Sequence, residues 1–188
     1  PHICKVASDN LFKGNTHYCP PHGILPLRKA IATQLSETRQ IKVDPDEIVV
    51  TTGAKPPISY TLLTYVNPGD EVIYPSPGFP IYESFARYVG AVPVPLHLQE
   101  EKGFAFGGND LASLITKRTK LIILNFPSNP TGGVASREQL RELADVILNR
   151  TSDDVRVYSD EVYEDILFDG AKHCSIASVP GMERRTVI

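Results

Sequence analysis

Four places in this 188-residue chain combine residue types that chemistry could use. The first is Thr51-Thr52-Gly53-Ala54-Lys55, between an apolar run and a helical pattern. Small residues there would let backbone N–H groups at the coming helix start face an anion, and Lys55 adds positive charge. A tight turn that needed a glycine accounts for Gly53 equally well. The second is Asn125-Phe126-Pro127-Ser128-Asn129-Pro130-Thr131-Gly132-Gly133, at the end of a continuous apolar run. Asn129-Pro130 suits a cis bond. Asn129 would then aim its amide back over the strand ends as a donor to a ligand oxygen; the plainer account is an Asx turn.

The third is Ser159-Asp160-Glu161-Val162-Tyr163. Asp160 stands where a strand leaves the core, a place where an acid normally has a cationic partner. Tyr163 would share its side if the segment is helical. The plainer reading makes Asp160 a helix N-cap. A catalytic pair of Asp160 and Glu161 is disfavoured, because neighbouring side chains diverge. The fourth is Phe79, placed by Pro75-Ser76-Pro77-Gly78 at a helix start. It either stacks on a planar ligand or packs in the core. Together these groups supply an anion site, a carboxylate for a protonated ring nitrogen, two donors for a phenolate oxygen and a ring to stack upon. Those are the demands of pyridoxal phosphate, whose pyridine ring acts as an electron sink.

The elements around these places alternate. Helical patterns cover 27–35, 57–65, 79–89, 110–116 (capped by Asp110) and the stretch after Ser136, where Ser136 and Gln139 form a capping box. Leu140, Leu143, Ala144 and Ile147 recur at one helix face. Strand patterns cover 47–51, 71–74, 121–124 and 155–158, with an edge-like, proline-bearing run at 91–95 and a further opening at 186–188. Strands separated by helices predict an α/β fold with a mostly parallel sheet and helices on both faces. In such sheets, ligands sit beyond the carboxyl ends of the strands, where all four places fall. The expected organisation is an N-terminal arm and first helix over 1–40, then a large cofactor-binding domain over 41–188.

Composition narrows the function classes. Hydrophobic residues make up 41% and charged residues 22%, which permits a buried core. A net charge of −3 argues against a nucleic-acid or anionic-membrane surface. No apolar run approaches membrane-spanning length, and no signal peptide is apparent. Cys4, Cys19 and Cys174 are scattered and odd in number, which suggests reduced thiols and a cytoplasmic location. His17, Cys19 and His22, and the adjacent His173 and Cys174, lack structural zinc spacing and read as loop residues. The start at Pro1 and the apolar finish Thr186-Val187-Ile188 suggest a polypeptide that continues both ways.

In their order, the segments resemble the class I/II aminotransferases of fold type I, the pyridoxal-phosphate group that includes aspartate aminotransferase. Tyr18-Cys19-Pro20-Pro21-His22-Gly23 with Leu27-Arg28, Val43 to Ile48 leading into Thr52-Gly53-Ala54-Lys55, Asn67-Pro68-Gly69-Asp70-Glu71-Val72, Asn129-Pro130-Thr131-Gly132 and Ser159 to Tyr163 carry the likeness over nearly the whole chain. The resemblance implies that Gly53, Ala54 and Lys55 bind the cofactor phosphate, and that Phe79 stacks on the pyridine ring. Asn129 and Tyr163 would bond the ring's 3′-oxygen, and Asp160 would pair with the pyridine nitrogen. Tyr18 would reach the phosphate of a neighbouring subunit, which implies a homodimer. The substrates implied are an amino acid and a 2-oxo acid. In the family, the lysine that holds the cofactor as a Schiff base follows a strand like Arg185-Thr186-Val187-Ile188, so it is expected beyond Ile188. Lys55, Lys117 and Lys120 do not replace it. The 188 residues alone are expected to be inactive and of marginal stability.

Two other readings stand beside transamination. The same cradle serves C–S lyases, racemases and enzymes that act on S-adenosylmethionine like aminocyclopropane-carboxylate synthase, because the cofactor stabilises the same carbanion in each. A non-catalytic, aminotransferase-like regulatory domain would need a DNA-binding segment, and nothing basic of that kind is visible.

Overall fold

The computed structural model describes all of residues 1–188. Five parallel strands form one sheet: β1 (Glu71–Ser76), β2 (Val92–His97), β3 (Thr119–Asn125), β4 (Arg156–Asp160) and the short β5 (Thr186–Val187), in the spatial order β2-β1-β3-β4-β5. Side chains alternate across a strand, so each central strand feeds two cores. Val72, Tyr74, Leu121, Ile123 and Tyr158 face α3 (Lys55–Tyr65) and α4 (Ile81–Tyr88), packing with Ile58, Leu62, Tyr82 and Ala86. Ile73, Ile122, Leu124 and Val157 face the other way, onto Leu111 of α5 (Gly108–Leu114) and Leu140, Leu143, Ala144 and Ile147 of α6 (Arg137–Arg150). The uninterrupted apolar run of β3 follows from this double covering. The expected α/β layering, with helices on both faces, is what the chain forms.

Local chemistry sets the boundaries. Ser136 accepts from Gln139 N at 3.2 Å and Gln139 returns the contact to Ser136 N at 2.8 Å, so α6 begins at the expected capping box. β2 is an edge strand. Val92 N and Leu98 N donate to Asp70 O and Ser76 O of the β1 side, which leaves Pro93 and Pro95 on the open side, where a missing N–H costs nothing.

Several expectations need correction. Residues 47–51 are not a strand. Pro45–Glu47 is a single 3-10 turn capped by Asp44, and the following extended residues make one long-range backbone bond, Val50 N to His22 O. The β-branched run lacks a neighbouring strand, and β-propensity without a partner builds no ladder. Asp110 is not the N-cap of α5. It lies inside the helix and accepts from Gly107 N at 2.9 Å, so the N-cap is Gly107, three residues earlier, and α5 ends at Leu114. An additional helix, α1 (His2–Phe12), precedes α2 (Leu25–Arg39), and none of its 11 residues is buried. Ile3, Val6, Leu11 and Phe12 are exposed there. No helix is long and apolar enough to cross a membrane.

Leu143 is 1% exposed and fills the core between α6 and the sheet, whereas Leu63 of α3 is 61% exposed. Leu143→Ala is expected to lower the unfolding free energy by about 3 kcal/mol, through lost burial plus a residual cavity. Leu63→Ala is expected to change it by less than about 0.5 kcal/mol. Urea unfolding of both variants checks the contrast; equal effects would contradict this assignment of the core.

Candidate active site

The chain runs from β1 to β2 on one side and returns to β3 on the other side of β1, so the strand order reverses there. Parallel strands that diverge in this way leave a crevice at their carboxyl ends. Three of the four candidate segments arrive at that crevice from β1, β3 and β4, and the fourth from the start of α3. They enclose a cavity of about 230 Å³. Ala54, Lys55, Phe79, Asn129, Asp160 and Tyr163 line it, all of them legible as candidates in the sequence. Asn125 and Val162, which the candidate segments contain without an assigned role, line it too, as do Ile58 and Tyr82, which sequence reasoning missed.

Each candidate is held by its element. Gly53 takes φ +91°, a left-handed conformation that side-chain-bearing residues rarely adopt, and turns the chain into α3 just before the cavity wall. Lys55 is the first residue of α3 and its ammonium lies 5.9 Å from the centroid of the Phe79 ring. Pro56 and Pro57 follow it, so two positions of the first turn carry no N–H. The anion-facing donors at this helix start are therefore fewer than the sequence reading assumed, and Lys55 carries more of the positive character. Gly78 lets the chain fold tightly before Phe79: a Cβ there would sit 2.1 Å from Pro75 O. Phe79 packs edge-on against Tyr82, with centroids 5.8 Å apart and an interplanar angle of 83°.

Asp160 ends β4 and is 7% exposed. It has no cationic partner in the chain. The Tyr82 hydroxyl donates to its Oδ2 at 2.6 Å, and Val162 N approaches Oδ1 at 3.4 Å. Burial, and then the adjacent carboxylate, push the Tyr82 phenol far above its ordinary value, so it remains a donor. Asn125 is 3% exposed and ties the site together: Nδ2 donates to Asp160 O at 3.0 Å, and Oδ1 accepts from Asn129 N at 2.8 Å. Asn129 Nδ2 and the Tyr163 hydroxyl lie 3.5 Å apart. The Asn129-Pro130 bond is cis. The segment is not helical at Tyr163, so the condition set for it to share a side with Asp160 is not met. Tyr163 stands in consecutive turns, closed by Glu164 N to Glu161 O and Ile166 N to Tyr163 O. Tyr18 is fully exposed and does not line the cavity.

Asp160 and Glu161 diverge, as strand alternation requires. Glu161 Oε1 accepts from Ser159 and Ser175 at 2.8 and 2.6 Å, while Oε2 meets Arg39 Nη2 at 2.7 Å and His173 Nε2 at 2.9 Å. Glu161, Glu164 and His173 lie close enough to hold a metal ion. The Arg39 guanidinium bonds both carboxylates, so a cation would have to compete with it. Burial alone would raise the Glu161 carboxyl; donation by His173, Ser175 and Ser159, with the Arg39 charge, outweighs this and holds it below its ordinary 4.5.

A carboxylate lowered in the folded state stabilises fully above its unfolded value and loses that contribution as pH falls through the folded one. The melting temperature is therefore expected to drop on acidification below 4.5. Glu161→Gln is expected to melt lower at neutral pH and to lose that share of the acid sensitivity. Parallel pH profiles for the two proteins would contradict the role given to this carboxylate.

The family profile described as "Aminotransferase class I and II" matches residues 1–187. The aromatic-amino-acid aminotransferase 2 of Thermococcus litoralis is 38% identical over 187 residues, covering 99% of this chain and 47% of that protein. The aspartate aminotransferase of Pyrococcus abyssi is 39% identical over the same length, with 99% and 47% covered. The crystal structure of an aromatic aminotransferase from Pyrococcus horikoshii OT3 superposes with a TM-score of 0.93 at 40% identity, over 98% of this chain and 49% of that one. The chain thus spans about half the length of the curated relatives it matches. Sequence and fold agree with these matches over nearly the whole chain: the chain belongs to the class I and II aminotransferase family.

Proposed function

We propose that the protein is a pyridoxal-phosphate-dependent aminotransferase, and that these residues form most of its cofactor cradle. One observation carries the reading. Asp160 is a buried acid whose only side-chain donor is an uncharged phenol, and the same cavity contains Lys55, which has no carboxylate partner. Burying a carboxylate without a cation is costly, so a ligand that brings a positive group to Asp160 and an anion to Lys55 is favoured. A protonated pyridine nitrogen and a phosphate on one planar molecule meet both demands, and the flat Phe79 side chain suits the ring between them.

The cofactor, when bound, supplies a ring that takes up the electron pair released at the substrate Cα. The chain's own contribution is placement and charge. Asp160 keeps the proton on the ring nitrogen, and Tyr82 fixes the carboxylate that does so. Asn129 and Tyr163 donate to the 3′-oxygen. Lys55, with the N–H groups of Gly53 and Ala54, holds the phosphate. Phe79 excludes water from one ring face. The substrates are an amino acid and a 2-oxo acid. The intact protein works as a homodimer in the cytoplasm, with Tyr18 of each subunit reaching its partner's phosphate site.

The test is a mixture of the intact protein, pyridoxal phosphate, a panel of amino acids and a 2-oxo acid. Amino-group transfer with at least one donor is expected. Release of ammonia and pyruvate without transfer, or no reaction with any donor, overturns the reading. Asp160→Asn is expected to reduce turnover by about a hundredfold, ~2.7 kcal/mol of barrier, because an amide does not hold the ring proton. Tyr82→Phe is expected to cost roughly tenfold in cofactor affinity, measured by absorbance titration.

A further inference from the structure

A long-range contact joins two residues 122 positions apart, Arg39 at the end of α2 and Glu161 just past β4. Both are buried, with side chains 5% and 4% exposed. The guanidinium does not stop at one carboxylate. Its Nε and Nη2 donate to Glu161 Oε2 at 3.1 and 2.7 Å, and Nη2 also bonds Glu164. Glu161 and Glu164 are the two ends of the turn closed by Glu164 N to Glu161 O at 2.9 Å. Tyr163 stands inside that turn, and Asp160 immediately precedes it. Neither Arg39, Glu161 nor Glu164 lines the cavity.

A buried ion pair is a poor means of adding stability, since desolvation offsets most of the attraction. Its clearer physical consequence is geometric. A planar fork that bonds two carboxylates fixes the separation and orientation of both. Ser159 and Ser175 hold the second oxygen of Glu161, so that carboxylate cannot rotate to a different partner. The backbone between the two acids is therefore pinned from behind, on the side away from the ligand.

We propose that Arg39, Glu161 and Glu164 form a positioning clasp that sets the Tyr163 hydroxyl toward the cofactor. The clasp rests on the functional reading above and adds residues that never touch the ligand. Glu164 is its outer arm: its side chain is 30% exposed, so its removal leaves the core packed.

Pyridoxal phosphate titrations of the intact protein, read by absorbance, test the proposal with Glu164→Ala made alone and in a Tyr163→Phe background. Glu164→Ala is expected to weaken binding by about fivefold. Its apo melting temperature is expected to stay within about 2 °C of wild type. Glu164→Gln, which keeps an acceptor for the guanidinium, is expected to restore most of the affinity. In the Tyr163→Phe background, Glu164→Ala is expected to weaken binding far less, because the group it positions has gone. Unchanged binding in Glu164→Ala, or the same loss in both backgrounds, overturns the clasp while the functional reading stands. Wild-type protein that takes up no pyridoxal phosphate overturns the functional reading, and the clasp with it.

Discussion

A carboxylate buried without a cation is the constraint on which the rest of this molecule depends. Asp160 lies at the carboxyl end of a central strand, with a tyrosine hydroxyl at 2.6 Å as its strongest partner. Such a group is expensive to bury. Around it the fold commits one residue after another to keeping it in place. Tyr82 comes from α4 across the crevice. Asn125 bonds the Asp160 carbonyl from β3. Val162 N approaches the second oxygen from the following turn. In the proposed function, the arrangement is half of an interaction whose other half is a cationic ring atom.

Topology helps to explain the site. The strand order reverses beside β1, and the loops leaving β1 and β3 part there to open a crevice that the end of β4 borders. The two cores, one under α3 and α4 and one under α5 and α6, make the strand ends rigid. Rigid strand ends place Phe79, Asn129 and Asp160 with little freedom. The glycines at 53 and 78 then allow the chain to approach closely where a side chain would strain or collide.

Much of this was legible in the sequence, for reasons tied to particular residues. The run Leu121 to Leu124 read as a strand covered on both faces, and Ser136 with Gln139 marked the start of α6. Asp160 and Asn129 stood out because polar residues directly follow apolar strands. Tyr82 did not stand out, because a tyrosine in an amphipathic helix looks like core until its hydroxyl is seen to meet an acid. Asn125 opened a candidate segment, but its position as the last residue of a strand gave no sign of its role. Arg39 and Glu161 are separated by too much chain for any spacing rule to connect them. Residues 47–51 have strand composition but no strand beside them, and α1 has helical composition without burying any residue. These last features depend on neighbours, which local patterns do not encode.

The most direct test of the central claim is the NMR spectrum of pyridoxal phosphate isotopically labelled at its ring nitrogen and bound to the intact protein. The expected result is a protonated ring nitrogen that becomes unprotonated when Asp160 is replaced by alanine. A ring nitrogen that is unprotonated in the wild-type protein at neutral pH would contradict the account, because the buried carboxylate would then have no cation to meet.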